Sequence, residues 1–174
     1  MNLVTTEEFC IRPAQNRDLP ALHAVIQRAY RGQDARAGWT HEADLLEEER
    51  ITLDALGAIL HDPASLLVIA ERRGVPIGSI QLTDKGQSEI YLSLLSVDPG
   101  VQAGGLGRQL LSAAENIARD NFSATLTTMT VIDSRTELIA YYVRRGYQET
   151  AWRLDFVVPR DPPLFMTKLQ KRLD

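Results

Sequence analysis

A short glycine-rich segment at positions 98–108, with the sequence DPGVQAGGLGR, has the composition of a phosphate-binding turn. It follows an apolar stretch and leads directly into a helical pattern that begins near Leu106. Glycines leave room for backbone N–H groups to approach a ligand, and the first N–H groups of a helix have no partner within the helix. Arg108 adds a full positive charge at the same end. The segment therefore predicts a phosphate site, most usefully for a diphosphate.

Three glycine-rich patterns compete for this segment, and a helix-capping turn that binds nothing is a fourth interpretation. The nucleoside-triphosphate loop requires Gly-Lys-Ser/Thr, which does not follow Gly107. The dinucleotide fingerprint requires a glycine or alanine where this chain has Leu110, and a parallel βαβ unit near the chain start. The remaining pattern is Gln/Arg-x-x-Gly-x-Gly/Ala, which Gln102, Gly105 and Gly107 match.

A second motif lies beyond a predicted helix and a predicted strand. Tyr142 is separated by three residues from Gly146-Tyr147. The two motifs, in this order, resemble those of the GNAT superfamily of N-acetyltransferases. The resemblance is strongest over roughly residues 90–150 and extends more weakly over nearly the whole chain. The fold and activity of that family are therefore our expectations for this chain.

The resemblance implies that acetyl-coenzyme A (acetyl-CoA) is the cosubstrate and that no metal is required. In that family the pantetheine arm pairs like an added strand, here with the backbone of Leu95, Ser96 and Val97. A backbone N–H of Leu95 or Val97 could stabilise the oxyanion. The residues expected to wrap the diphosphate are Gln102, Ala103, Gly104, Gly105, Leu106, Gly107 and Arg108.

The same resemblance makes Tyr142 the general acid that protonates the departing thiolate. An acid at that position fits the chemistry, because an amine attacking a thioester must expel a thiolate. Tyr141 is the neighbouring rival, separated from Tyr142 only by its distance from Gly146. A purely structural tyrosine is the other interpretation, since Leu138 and Ile139 are apolar helical neighbours.

Two features of the expected site are not given by the family motifs: the contact to the pantetheine arm and the general base. Arg135 stands seven residues before the tyrosine, where many family members carry an asparagine that contacts the pantetheine arm. Ser134 is our candidate for that contact, with Asp133 as an alternative. The substrate ammonium must also lose a proton. Glu89, His41 and a chain of water molecules are the three candidates for that step, with Glu89 favoured as the side-chain base.

The acceptor is expected to bind beside Trp39 and His41, which lie in a polar, glycine-bearing loop. Trp39 could equally anchor that loop to the core. The opposite wall of the acceptor site is expected to come from the stiff segment 159–163. The acidic stretch 42–49 could attract a cationic acceptor, although a solvated helix face is the simpler interpretation. Small molecules, peptide N-termini and protein lysines all remain possible acceptors.

The composition excludes several classes of protein. The chain has 174 residues, of which 44% are hydrophobic and 24% charged, enough for one domain with a substantial core. A formal net charge of −4 argues against nucleic-acid binding, including a toxin that acetylates transfer RNA. Cys10 is the sole cysteine, so no internal disulfide forms. The N-terminus does not have the pattern of a signal peptide, and no apolar run reaches membrane-spanning length, so we expect a cytoplasmic protein. We expect a monomer or a homodimer.

The predicted elements follow the order β α α β β β α β α β β. Strands are predicted at residues 9–12, 66–70, 76–82, 89–97, 125–131, 147–156 and 165–169, and helices at 19–29, 52–60, from 106 and at 134–145. Ser134 and Glu137 form a predicted capping box for the last helix. The order predicts one α/β (α+β) domain over residues 1–174, with residues 1–8 flexible. Its mixed central sheet of about six to seven strands combines an antiparallel meander with a βαβ crossover and has helices on both faces.

These expectations combine into an N-acetyltransferase that moves acetyl from acetyl-CoA to a primary amine by direct attack. Direct transfer is favoured because Cys10 lies far in sequence from both motifs. The alternative is a non-catalytic coenzyme A-binding sensor or scaffold of the same fold. Such a module would keep Gly105 and Gly107 but would not need Tyr142.

Overall fold

The computed structural model describes residues 4–5, 9–31 and 49–174, and in these ranges the side chains of residues 4, 5, 102 and 103 are not described. The strands are β1 Val4–Thr5, β2 Cys10–Pro13, β3 Ser65–Arg72, β4 Val75–Asp84, β5 Glu89–Val97, β6 Leu126–Ile132, β7 Gln148–Asp155 and β8 Phe165–Arg172. The α-helices are α1 Leu19–Tyr30, α2 Leu53–His61, α3 Leu106–Phe122 and α4 Thr136–Val143. Short 3-10 turns cover Asn16–Asp18 and Pro99–Gly104.

The strands form one mixed sheet in the order β1-β2-β3-β4-β5-β6-β8-β7. Every neighbouring pair is antiparallel except β5 and β6, which are parallel and joined through α3. The predicted meander, βαβ crossover and mixed sheet are confirmed. The described sheet has eight strands because Val4 and Thr5, expected to be flexible, pair with Ile11 and Cys10 of β2.

Helices cover both faces of the sheet, as predicted, because each presents an apolar stripe to it. On one face, α3 and α4 bury Leu110, Ala114 and Tyr142 in a large cluster. On the other, Leu22 of α1 and Leu56 of α2 are fully buried. None of the helices in the described part of the chain is long and apolar enough to cross a membrane.

The sheet is interrupted between its two parallel strands. β5 and β6 are in register only at Glu89↔Leu126, Ile90↔Thr127 and Tyr91↔Thr128. Beyond these pairs β5 carries a bulge, in which Leu94 and Leu95 together lie opposite the single residue Ile80 of β4. Leu94 adopts a positive φ of 49°, an uncommon conformation for a side-chain-bearing residue. The gap opens directly beyond the last residue pair.

The start of α4 differs from the prediction. The helix begins at Thr136, and its N-cap residue is Arg135, which makes no side-chain cap hydrogen bond. The capping box predicted from Ser134 and Glu137 is therefore wrong, because the helix begins too late for Ser134 to occupy the capping position. The cap residue Arg135 also lines the site described below.

Gly78 holds β4 against the bent end of β5. A Cβ atom built there would lie 2.7 Å from the Ser96 carbonyl oxygen and 3.0 Å from Cδ1 of Leu110. We expect Gly78→Ala to lower the free energy of unfolding by about 1–3 kcal/mol, because backbone and core must both shift. Denaturant titration measures the change.

Gly57→Ala is the matched control, because its Cβ would lie 3.9 Å from Leu19 in ordinary contact. Gly57 lies inside α2, where alanine is the better helix former, so the free energy of unfolding of this variant should rise by about 0.5–1 kcal/mol. Equal effects of the two substitutions would contradict the close packing at Gly78.

Candidate active site

Two cavities flank the gap between β5 and β6. The larger has a volume of about 380 Å³ and the smaller about 300 Å³. Both volumes lie near the lower end of the range for small-molecule sites. The cavities adjoin each other, because they share the lining residues Tyr30, Leu95, Arg135, Leu138 and Tyr142. A ligand in one cavity can therefore reach a ligand in the other across the bulge.

The smaller cavity lies at the N-terminus of α3, against the glycine-rich turn. Gly105 is the N-cap residue with φ of +71° and no side-chain cap, so the first N–H groups of a seventeen-residue helix face the cavity without a capping side chain. A Cβ at Gly104 or Gly105 would meet open space. Arg108 and Arg145 also line this cavity. The arrangement has the charge and geometry of an anion site.

The glycine-rich turn is fixed to the body of the protein by an ion pair. Asp98 accepts a hydrogen bond from the Arg28 guanidinium of α1 at 2.6 Å and another from the Gly100 N–H at 3.1 Å. These donors hold the pKa of Asp98 below its usual value, although burial acts in the opposite direction. The carboxylate therefore stays charged and keeps the turn in place at neutral pH.

Two hydroxyl groups satisfy the carbonyl groups of the bulge. Ser79 donates to the Leu94 carbonyl at 3.0 Å and also lies 2.7 Å from the Ser96 hydroxyl. The Tyr30 hydroxyl of α1 donates to the Leu95 carbonyl. Side chains thus replace the strand partner that the bulge removes, which is how a distorted strand can remain ordered.

The two adjacent tyrosines occupy different places. Tyr142 is 6% exposed and lines both cavities, whereas Tyr141 lines only the smaller one. The Tyr142 ring is held edge-on between Tyr141 and Tyr147, with ring centroids 5.3 and 5.8 Å away. Burial raises the pKa of Tyr142, so its hydroxyl keeps its proton at neutral pH. The Tyr141 ring stacks on the Arg145 guanidinium.

The larger cavity lies on the opposite side of the junction from the glycine-rich turn. One wall comes from the segment between β7 and β8, which contributes Phe156, Val157, Val158 and Arg160. Of these four, only Arg160 belongs to the segment 159–163 that was expected to border the acceptor; the other three precede it. Among the described residues, the charged groups of the lining are Arg31, Glu49, Arg50, Arg135 and Arg160.

Glu89 and Ser134 are predicted site residues that line neither cavity. The Glu89 carboxylate accepts hydrogen bonds from Thr128 at 2.7 Å and from Lys168 at 3.2 Å, which keep its pKa below the usual value. It lies at the paired end of β5, so the structure does not support its direct contact with an amine in the cavity. Ser134 is exposed, and the adjacent Arg135 lines both cavities instead.

The other predicted residues lie in the smaller cavity, beside it, in the core, or outside the part of the chain that the structure describes. Six of them line the smaller cavity: Leu95, Ser96, Val97, Gly105, Gly107 and Arg108. Gly104 and the backbone of residues 102–103 belong to the adjacent 3-10 turn, and Leu106 is buried in the core. Trp39, His41 and most of the acidic stretch 42–49 lie outside the described residues.

Sequence reasoning missed Tyr30, Arg50 and Arg160 as site residues. Tyr30 ends a helix and contacts a strand residue 65 positions later, so no local pattern signals it. Arg160 had a weak signal, since it lies within the stiff segment expected beside the acceptor. Arg135 was noticed only as a replacement for an asparagine, although a positive charge in that place changes what the site can bind.

Comparison with known proteins identifies relatives of this chain. The model of the Acetyltransferase (GNAT) family matches residues 20–147, well over half of the chain. A mycothiol acetyltransferase of Salinispora arenicola (strain CNS-205) is 33% identical over 153 residues, covering 83% of this chain. The alignment covers 44% of that protein, so this chain spans less than half the length of that relative.

Solved structures show the same fold. The ribosomal-protein-S18-alanine N-acetyltransferase of Escherichia coli superimposes with a TM-score of 0.74 at 18% identity, over 95% of this chain and 94% of that one. A putative acetyltransferase of Salmonella typhimurium, solved with its cofactor acetyl-CoA, gives a TM-score of 0.73 at 21% identity, over 97% and 95%. At such identities the likeness establishes the fold.

The hydroxyl of Tyr30 should determine the geometry of the bulge. We expect Tyr30→Phe to lower the free energy of unfolding by about 0.5–1.5 kcal/mol, because one hydrogen bond is lost. The Leu95 carbonyl and the Ser96 N–H belong to one peptide group, so the Ser96 amide resonance should move in NMR spectra. Tyr91→Phe is the control, because it removes a hydroxyl bonded to Thr130 instead. An unmoved Ser96 resonance in Tyr30→Phe would contradict this role.

Proposed function

The chain belongs to the GNAT family of acetyltransferases, and on that premise we propose that it transfers the acetyl group of acetyl-CoA to a primary amine by direct attack. The observation that carries the proposal is the position of Tyr142, a buried tyrosine at the junction of two cavities. One cavity has the features of an anion site, and the other can hold a small acceptor. The junction is therefore the place where the two substrates would react.

The smaller cavity fits the cosubstrate. Gly104 and Gly105 leave open space beside the N–H groups that begin α3, where a diphosphate would accept hydrogen bonds. Arg108 and Arg145 would neutralise its charge. The backbone of Leu95 to Val97 lines the same cavity and offers an edge for the pantetheine arm. Bound acetyl-CoA supplies a thioester, which is an activated acyl group.

The bulge would polarise the reacting carbonyl. Leu95 has no register partner in β4 or β6, and its carbonyl is already occupied by Tyr30. Its N–H group is our candidate for the donor at the junction, because Leu95 lines both cavities. A backbone donor held by a distorted strand is preorganised for negative charge on an oxygen. Val97 is the alternative donor.

Tyr142 would act as the general acid. Its raised pKa keeps the phenol protonated, and its packing between two aromatic rings restricts its orientation. A positioned acid of this kind donates its proton to a sulfur as negative charge develops on it. Tyr141 is less suited, because its ring is stacked on Arg145 within the smaller cavity.

The position of the sole cysteine supports direct transfer. Cys10 is the sole cysteine of the sequence, and it lies in β2, three strands away from the gap. Glu89 is engaged by Thr128 and Lys168, so deprotonation of the amine is left to water or to His41, which lies outside the described residues. A non-catalytic module that binds coenzyme A is the alternative, and it has no use for a buried hydroxyl at the junction.

The glycine-rich turn should be required for binding the cosubstrate. Gly105→Glu places a carboxylate where the diphosphate would lie, so calorimetry should show acetyl-CoA binding weakened by at least about tenfold, or about 1.4 kcal/mol. Gly74→Glu is the matched control, because Gly74 also has a positive φ of 79° and open space around it, in a distant turn. Equal affinity of the two variants would contradict this assignment of the turn.

Removing the Tyr142 hydroxyl should slow the chemical step. Tyr142→Phe keeps the ring packing, and we expect kcat to fall by roughly 10²- to 10⁴-fold with little change in acetyl-CoA affinity. Release of free coenzyme A measures the rate. Tyr141→Phe is the control and should retain most of kcat. The reverse result would make Tyr141 the acid, and two unimpaired variants would remove both from this role.

A further inference from the structure

The larger cavity has an unusual charge for a protein of net charge −4. Among the described residues, its charged lining residues are four arginines and one glutamate, namely Arg31, Arg50, Arg135, Arg160 and Glu49. The carboxylate is already engaged, because one Glu49 oxygen lies 2.7 Å from Nε2 of His23. Among the residues that the structure describes, the charge lining this cavity is therefore positive.

The arginines approach the cavity from separate elements. Arg31 follows α1 and is 7% exposed, and Arg50 lies with its guanidinium 5.0 Å from the centroid of the Tyr30 ring. Arg135 comes from the start of α4 at the junction of the cavities, and Arg160 comes from the segment between β7 and β8. Four cations converging from four places are unlike a solvated charged face, where successive residues of one element share a surface.

Such cations remain able to bind a ligand when they also contact the protein. A guanidinium has five N–H donors in a planar fork, so a partner on one edge leaves donors on another. Paired N–H groups of this fork match the two oxygens of a carboxylate or phosphonate. Because the cavity is partly shielded from water, a charge-assisted hydrogen bond there is stronger than one on the surface.

We propose that the acceptor is an amine that carries an anionic group, a carboxylate or a related oxyanion, close to its nucleophilic nitrogen, as a free amino acid does. This inference rests on the proposed acetyl transfer and specifies its acceptor. The arginines of the larger cavity bind the anion, and the amine points toward the junction at Tyr142. The remaining lining is largely apolar, including Phe156, Val157 and Met166, which suits an apolar side chain.

The positive lining also assists the chemistry. An ammonium group surrounded by guanidinium groups is destabilised relative to the free amine, so binding favours loss of its proton. The anionic group of the acceptor compensates for that repulsion during binding. A doubly charged polyamine has no such group and is repelled throughout. The proposed acceptor thus carries an anionic group, whereas the acidic stretch 42–49 led us to expect a cationic acceptor.

The test compares four acceptors of one carbon skeleton that differ in the anionic group, with spermidine as a polycationic comparison. The purified protein, saturated with acetyl-CoA, is offered L-leucine, L-leucinamide, 3-methylbutylamine, 1-amino-3-methylbutylphosphonic acid and spermidine. The kcat/KM for each is measured by coenzyme A release, with the acetylated product identified by mass spectrometry. We expect L-leucine to exceed L-leucinamide and 3-methylbutylamine by at least about tenfold. The phosphonate distinguishes a general oxyanion site from one specific for carboxylates.

Two variants connect the preference to the arginines. Arg50→Gln and Arg160→Gln should each reduce the ratio of kcat/KM for L-leucine over L-leucinamide by at least about fivefold, since each removes a charge but keeps hydrogen-bonding capacity. Arg119→Gln is the matched control, because Arg119 lies exposed on α3 beside Asp120 and Asn116. The ratio should be unchanged in this control, and acetyl-CoA affinity should be unchanged in all three variants.

The outcomes separate this inference from the function beneath it. Acetylation of L-leucinamide, 3-methylbutylamine or spermidine at rates equal to or above those of the anionic amines overturns the inference and leaves acetyl transfer intact. A preference for L-leucine that persists in both cavity variants overturns the role of these arginines. Failure to acetylate any anionic amine, in a panel extended to polar and acidic amino acids, also overturns it. A protein that neither binds acetyl-CoA nor acetylates any amine contradicts the proposed function itself.

Discussion

Between β5 and β6 the sheet is held by three residue pairs, and beyond Tyr91 and Thr128 the two strands no longer pair. A closed sheet would fill this space with main chain and leave no path from one face to the other. The bulge at Leu94 and Leu95 keeps the space open, and hydroxyl groups from Ser79 and Tyr30 satisfy its carbonyls. The cavities, the position of Tyr142 and the accessible edge of β5 all depend on this interruption.

Positively charged groups line both cavities beside the gap. The smaller cavity combines the N-terminus of α3 with Arg108 and Arg145, and the larger one gathers four arginines from separate elements. Six arginines of a chain of net charge −4 thus line the two cavities at one opening. Field lines are focused in a cleft lined by one sign of charge, which raises the local concentration of anions. Both proposed substrates carry negative charge, and each would bind on its own side of the junction.

Much of the fold could be predicted because local patterns and packing agree. The switch from helical to alternating periodicity located the meander, and the glycine-rich turn with the stripe of α3 located the crossover. These features depend on residues that are near one another in sequence. The prediction that failed was of a different kind: the capping box at Ser134 depends on where the helix begins, and the N-cap residue is Arg135, one position later.

The site could be predicted on its cosubstrate side and much less on its acceptor side. The motifs at Gly105 and at Tyr142 are local, so their spacing identifies them. Tyr30 and Arg160 reach the gap from elements that are far apart in sequence, and only the folded sheet brings them together. Glu89 was plausible as a base because it begins the central strand, but strand direction places it at the paired end. The surroundings of Glu89 depend on which side of the last β5–β6 residue pair it lies.

The most direct test of the account is an NMR titration of the isotopically labelled protein with acetyl-CoA. The account predicts that amide resonances shift in the half of β5 beyond Tyr91, at Leu95 to Val97, and at the start of α3, at Gly105 to Arg108. The paired half of β5, including Glu89 and Ile90, should shift far less. Shifts that cluster at another surface, with Leu95 to Val97 unmoved at saturation, would contradict the claim that the gap is the reaction site.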